Sequence, residues 1–114
     1  MKLKLLKSKI HRATVTEACL DYEGSISIDT QLMQNAGIVN YEKVHVLNIT
    51  NGNRLETYAI PSTQKGHICI NGAAAHLVSP GDLVIIVAYA QMEHEEAIMF
   101  NPKIVLVDEN NTQK

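Results

Sequence analysis

Gly24-Ser25 interrupts a run of alternating apolar residues, and it is the one place in this chain where residue types suggest that the backbone could react with itself. A serine hydroxyl placed after a strained peptide can attack the preceding carbonyl, and a glycine before it permits unusual φ and leaves that carbonyl uncovered. The resulting ester can eliminate to dehydroalanine and hydrolyse, which leaves a pyruvoyl group at the new amino terminus. By residue type alone, Gly-Ser is far more often an ordinary turn dipeptide. A second stretch, Asn71-Gly-Ala-Ala-Ala75, has side chains so small that its backbone can approach a ligand closely. No glycine-rich phosphate loop, paired-histidine zinc helix or glycine-flanked nucleophile elbow is present.

These groups need elements to hold them. Alternation predicts strands near 3–10 and 12–22, a turn or bulge at Gly24, and a resumed strand through Ile26 and Ile28 to Asp29. Asp29 as a cap, apolar Leu32, Met33 and Ala36, and a stop at Gly37 predict a helix over 30–36. A strand through Val44, Val46 and Ile49 precedes Asn51-Gly52, the dipeptide suited to a type I′ hairpin, and Arg54 to Ile60 is the expected partner strand. A loop at 61–66, a brief strand at 68–70, a turn at 79–82 and a buried strand at 83–90 follow. A helical turn over 93–97, a break at Asn101-Pro102 and a strand at 104–107 complete the pattern. The expected fold is mainly β, a small barrel with two or three short helices, as one domain over 1–107 with a polar, fraying tail at 108–114.

A chain of 114 residues with 46% apolar and 19% charged residues can bury a core and is neither a two-domain enzyme nor a disordered segment. The longest apolar run, Leu83 to Ala90, is too short to cross a bilayer. Lysines interspersed among the first leucines leave no separate apolar stretch of the kind a signal peptide has. A net charge of −2 offers no bulk attraction to nucleic acid. Cys19 and Cys69 lie far apart without zinc-finger spacing, and His45, His67, His76 and His94 are scattered, which predicts solvent-facing histidines, no metal and a reduced, cytoplasmic protein.

Lys9-Ile-His11-Arg, Val15-Thr, Tyr22-Glu-Gly24-Ser25, Asn51-Gly, Arg54, Thr57-Tyr58, Asn71-Gly-Ala-Ala-Ala75 and Gly81-Asp82 stand in one order along nearly the whole chain. In this the sequence resembles the bacterial aspartate 1-decarboxylases. The resemblance implies a double-psi β-barrel and a homotetramer with active sites between subunits. It also implies a zymogen that self-cleaves at Gly24-Ser25 into 1–24 (β chain) and 25–114 (α chain). The cofactor implied is a covalent pyruvoyl group from Ser25, replacing pyridoxal phosphate, that forms a Schiff base with L-aspartate and yields β-alanine and carbon dioxide for pantothenate and coenzyme A synthesis.

By the same resemblance Tyr58, whose phenol carries a proton at neutral pH, reprotonates the carbanion. Arg54, a planar fork, and Lys9, a point charge, would hold the dicarboxylic substrate. Thr57 would assist cleavage and contact substrate, while Gly72, Ala73 and Ala74 would present backbone groups to it. Asn71 would donate to an oxyanion formed during cleavage, and His11 and Tyr22 would support the site. The 61–66 loop is one residue shorter than is usual for the family, and the tail is short. The rival from another class is a non-catalytic β-barrel, either a small-molecule binding module or a DNA-binding regulator, with Lys2 to Lys9 as its only basic cluster.

Overall fold

The long strand β1 (Lys2–Thr14) joins the predicted strand 3–10 to the start of the predicted strand 12–22, whose remainder forms a separate short strand at Glu17–Cys19. The computed structural model, which describes all of residues 1–114, shows why. Arg12 takes φ +65°, and the register slips between Ile10 and Ala13, so a bulge rather than a turn absorbs the irregularity. The chain continues through β2 (Glu17–Cys19), the loop 20–24 and β3 (Ser25–Asp29) to α1 (Thr30–Ala36). Then come β4 (Lys43–Asn48), β5 (Arg54–Ser62), β6 (Ile68–Asn71), a 3-10 turn over Gly72–Leu77, β7 (Leu83–Glu93), α2 (His94–Ala97) and β8 (Lys103–Leu106).

The strands order as β2-β6-β3-β5-β4-β7-β1-β8, with β1–β8, β2–β6 and β3–β5 parallel and the other pairs antiparallel. Because β1 lies near one end of that order and runs on into β2 at the other, the segment 2–19 belongs to both ends and closes the sheet. Thr16 N–H donates to Ile68 O at the crossing. Ile10, Ile26, Ile28, Ile68, Ile70, Ile86, Val44, Val46, Val84 and Val105 fill the interior, all at 2% exposure or less. These β-branched side chains suit the pleated wall.

Helix α1 has the predicted limits. Asp29 accepts from Gln31 N–H at 2.8 Å, and Gly37 ends the helix at φ +70°. The hairpin between β4 and β5 forms, but its connection is not the two-residue type I′ turn. Only Gly52 has positive φ, and the Asn48 side chain accepts from Thr50 and Asn51 N–H, which spreads the loop over 49–53. Strand β7 runs three residues beyond its predicted end at Ala90, where Gln91, Met92 and Glu93 still pair with the start of β1.

The tail does not fray. Val107 bridges to Gln113, and Asn111, at 2% exposure and φ +60°, accepts from Thr14 N–H at 2.7 Å and donates to Thr14 O and Gly66 O, each at 2.8 Å. Asparagine tolerates this left-handed conformation, and its amide satisfies buried backbone groups that the barrel leaves over. We expect Asn111→Ala to cost about 2 to 4 kcal/mol in denaturant unfolding, because Thr14 N–H is then buried without a partner. A variant as stable as the parent would mean that the tail contributes nothing.

Candidate active site

Alternation along three neighbouring strands builds one cavity. In β3, Ile26 and Ile28 face the core, so Ser25 and Ser27 face the opposite side; in β6, Ile68 and Ile70 point inward and Cys69 and Asn71 outward. In β5, Ala59 packs inside while Tyr58 and Ile60 join the serines. Ser25 pairs with Asn71 and Ser27 with Cys69 across the antiparallel β3–β6 ladder. The cavity between these side chains measures about 710 Å³, and Glu17, Asp21, Tyr22, Glu23, Tyr41 and His67 complete its wall.

Ser25 sits in the floor at 3% exposure. Asn71 Nδ2 donates to Ser25 Oγ at 2.9 Å and to Ser27 Oγ at 3.1 Å, while Ser25 Oγ lies a long 3.5 Å from Glu23 O. The other side of the Asn71 amide is fixed by Cys69, whose Sγ–H donates to Oδ1 at 3.2 Å. Burial above all, and then the nearby Glu17 and Cys19, push the Cys69 thiol above its ordinary pKa, so it keeps the proton that this bond needs. The resulting line Cys69–Asn71–Ser25 holds the serine oxygen in one place.

Ser25 is also the first residue of β3, after the exposed residues 21–24. A break after Gly24 would therefore free a loop end without cutting a strand, and a group replacing Ser25 would stay anchored by the ladder and open to the cavity. These residues fit a pyruvoyl group at position 25.

The glycine requirement lies elsewhere than residue type suggests. Gly24 does not have positive φ, and a Cβ there would meet nothing within 4 Å. Gly72, at φ +75°, packs against it instead: a Cβ on Gly72 would stand 2.7 Å from Gly24 Cα, 2.8 Å from Gly24 N and 3.0 Å from Tyr22 O. Gly72→Ala should therefore displace the 22–24 segment and slow cleavage, on top of a conformational cost of about 1 to 2 kcal/mol. The half-time of conversion and the unfolding midpoint check both parts; an unchanged half-time would show that the 22–24 segment needs no support from Gly72.

Ser25, Asn71, Tyr58 and Tyr22 thus meet in one cavity, with the Tyr58 ring tilted against Tyr41 at a centroid distance of 6.1 Å. The other residues singled out by sequence do not line it. Lys9 lies in β1 opposite Val87, and His11 is in the same strand opposite Leu106 of β8. Arg54, exposed at the start of β5, pairs with Leu47, and Thr57 pairs with Val44. Ala73 is exposed and Ala74 packs against the core, both inside the 3-10 turn, a helical element that small residues alone did not announce. His11 is held below the ordinary histidine pKa, chiefly by burial and then by Lys9 and Arg12, so its neutral form is favoured in the folded chain.

Sequence reasoning missed Glu17, Asp21, Glu23 and His67. The first three put carboxylates on the wall, and no lysine or arginine lines it. His67 is not solvent-facing: its Nδ1 meets Ser62 Oγ at 2.8 Å and its Nε2 meets Glu17 Oε1 at 2.9 Å. Nothing local could have paired residues 17 and 67, which are joined only by the parallel β2–β6 contact.

Comparison with known proteins agrees with this geometry. The family model described as aspartate decarboxylase matches residues 1–114. A relative from Campylobacter jejuni named aspartate 1-decarboxylase is 61% identical over 112 residues, covering 98% of this chain and 89% of its own. One of the same name from Clostridium kluyveri is 58% identical over 114 residues, with coverage of 98% and 89%. Among solved structures, the computationally designed msDPBB_sym2 protein superposes with a TM-score of 0.51 at 14% identity, over 75% of this chain and 99% of its own. The rationally designed mkDPBB_sym_86 protein gives 0.50 at 15%, over 67% and 90%. The fold is accordingly a double-psi β-barrel.

Proposed function

Because the chain belongs to the aspartate decarboxylase family and is a carboxy-lyase acting on aspartate, we propose that it works through a pyruvoyl group made from its own Ser25. The observation that carries this reading is the placement of Ser25. It is a buried hydroxyl at the junction of an exposed loop and a strand, held by Asn71 and open to a cavity that also holds Tyr58. Membership of an enzyme family leaves no support for the rival of a non-catalytic barrel or DNA-binding regulator, and the carboxylates of the cavity wall would repel the phosphates that a DNA-binding regulator must hold.

In the maturation step Ser25 Oγ attacks the Gly24 carbonyl carbon and the peptide nitrogen leaves, giving an ester. Elimination releases the Gly24 carboxylate and leaves dehydroalanine at position 25. Hydrolysis then consumes one water and expels one ammonia. Asn71 Nδ2, already aimed at Oγ, can follow the negative charge onto the former carbonyl oxygen as the bond forms. Gly72 gives the 22–24 segment its seat during the attack.

The pyruvoyl group, once formed, supplies a carbonyl that takes up the substrate amine and draws off the electrons left by carbon dioxide. Tyr58 delivers a proton to the carbon that has lost its carboxylate, giving β-alanine, which we propose feeds pantothenate and coenzyme A synthesis. Both cysteines are free, in keeping with a reducing cytoplasm, where we place the reaction. Neither a metal nor pyridoxal phosphate enters this scheme.

A dicarboxylate entering a wall of Glu17, Asp21 and Glu23 needs cations that one chain does not bring there. We take Lys9 and Arg54 to come from a neighbouring copy in a homotetramer. The exposed rings of Tyr22 and Tyr41, at 69% and 71%, support this as an uncovered apolar rim at the cavity mouth. Ser25→Ala and Arg54→Ala chains should each be inactive alone yet regain activity when co-expressed, since some sites then combine an intact Ser25 with an intact Arg54. A mixture as inactive as its parts would place the whole site in one chain.

Maturation itself is tested by the intact mass of the purified protein. Fragments 1–24 and 25–114 are expected, the larger lacking one ammonia relative to a serine start. A single chain that incubation never converts would overturn the reading.

A further inference from the structure

The parallel pairing of β2 with β6 sets Glu17 opposite Cys69, and His67 lies two residues before Cys69, so all three face the Ser25 cavity. Their carboxylate, imidazole and thiol ligand atoms lie within 4.8 Å of one another. We propose that Glu17, His67 and Cys69 form a binding site for one thiophilic divalent cation of the Zn²⁺ type in the wall of the cavity, joined to Ser25 through the contact of Cys69 with Asn71.

The donor set is one that Zn²⁺ accepts: a thiolate, an imidazole nitrogen and a carboxylate. Metal–ligand bonds of ~2.0 to 2.3 Å in a tetrahedron put the ligands roughly 3.3 to 3.8 Å apart. Glu17 Oε1 and His67 Nε2 already meet at 2.9 Å, and the Glu17 side chain is 58% exposed, so its rotation can set the remaining spacing without moving the barrel. His67 is prepared for ligation. Its Nδ1 is taken by the Ser62 hydroxyl, which fixes the ring and directs Nε2 at the cluster, the arrangement that outer-shell partners give to metal-binding histidines.

Charge favours the same occupant. A carboxylate and a thiolate neutralise a divalent cation, and Asp21 and Glu23 add negative potential on the same wall. On binding, the Cys69 proton leaves to solvent, and Sγ gives up its bond to Asn71 Oδ1. Three protein ligands leave a fourth position for water on the cavity side, as in open rather than closed zinc sites.

The test uses the purified full-length protein, stripped with a chelator and titrated with Co²⁺. One Co²⁺ per chain is expected, with the visible bands of tetrahedral cobalt and a thiolate-to-cobalt charge-transfer absorption, both removed by competing Zn²⁺. Cys69→Ser should abolish the charge-transfer absorption and Cys19→Ser should keep it. Glu17→Gln, on an exposed side chain that the fold does not need, should weaken binding about tenfold or more, and Ser62→Ala about 10- to 100-fold. Absence of stoichiometric uptake by the parent protein would overturn the proposal. So would an absorption that survives Cys69→Ser, or an affinity that Glu17→Gln leaves unchanged.

Discussion

Ser25→Ala is expected to give an uncut chain of 114 residues with no measurable release of carbon dioxide from aspartate. A methyl group cannot attack the Gly24 carbonyl. The neighbouring Ser27, though it also accepts from Asn71 at 3.1 Å, lies two residues too far along to cleave the same bond. The substitution should not unfold the barrel: Asn71 loses one acceptor and keeps the other, a change of about 1 kcal/mol. Intact mass, unfolding midpoint and β-alanine formation together separate loss of chemistry from loss of fold. A Ser25→Ala chain that is cut and active would end the self-processing mechanism, whatever the family relationship.

Tyr58→Phe is expected to mature normally and then to turn over about 10² to 10⁴ times more slowly, the range in which positioned acid–base groups contribute. That corresponds to about 3 to 5 kcal/mol of barrier. The ring packs against Tyr41 at 6.1 Å, and phenylalanine keeps that contact, so what is removed is the hydroxyl proton alone. Because the proton is needed only after carbon dioxide has left, kcat should fall while KM changes little. Steady-state kinetics on fully converted protein decides the matter, and an unchanged kcat would take Tyr58 out of the protonation step.

Local signals were legible wherever the physics is local. Asp29 and Gly37 bound α1 because a side-chain cap and a left-handed stop act within a few residues. Alternation along β3, β5 and β6 assigns Ile26, Ile28, Ala59, Ile68 and Ile70 to the core, which leaves Ser25, Tyr58 and Asn71 on the opposite face. The same alternation placed the break after 10, whereas a bulge at Arg12 lets β1 run to Thr14 and the break falls before Glu17. It also misread the tail, whose polar composition suggested fraying, since the buried Asn111 amide answers backbone groups of Thr14, far away in sequence.

Residue types and their order along the chain were thus enough for a β-barrel and, through the family resemblance, for singling out Ser25, Tyr58 and Asn71, which the fold brings to one cavity. Tertiary pairing alone decided that beside Ser25 the missing Cβ matters at Gly72 and not at Gly24, and that Cys69 locks the Asn71 amide. It also decided that Glu17 and His67 meet on the cavity wall while Lys9 and Arg54 stay outside it. The reason is physical: a cap, a turn or an alternation is felt within a few residues, whereas strand register across about fifty residues is fixed by closing the barrel around its core.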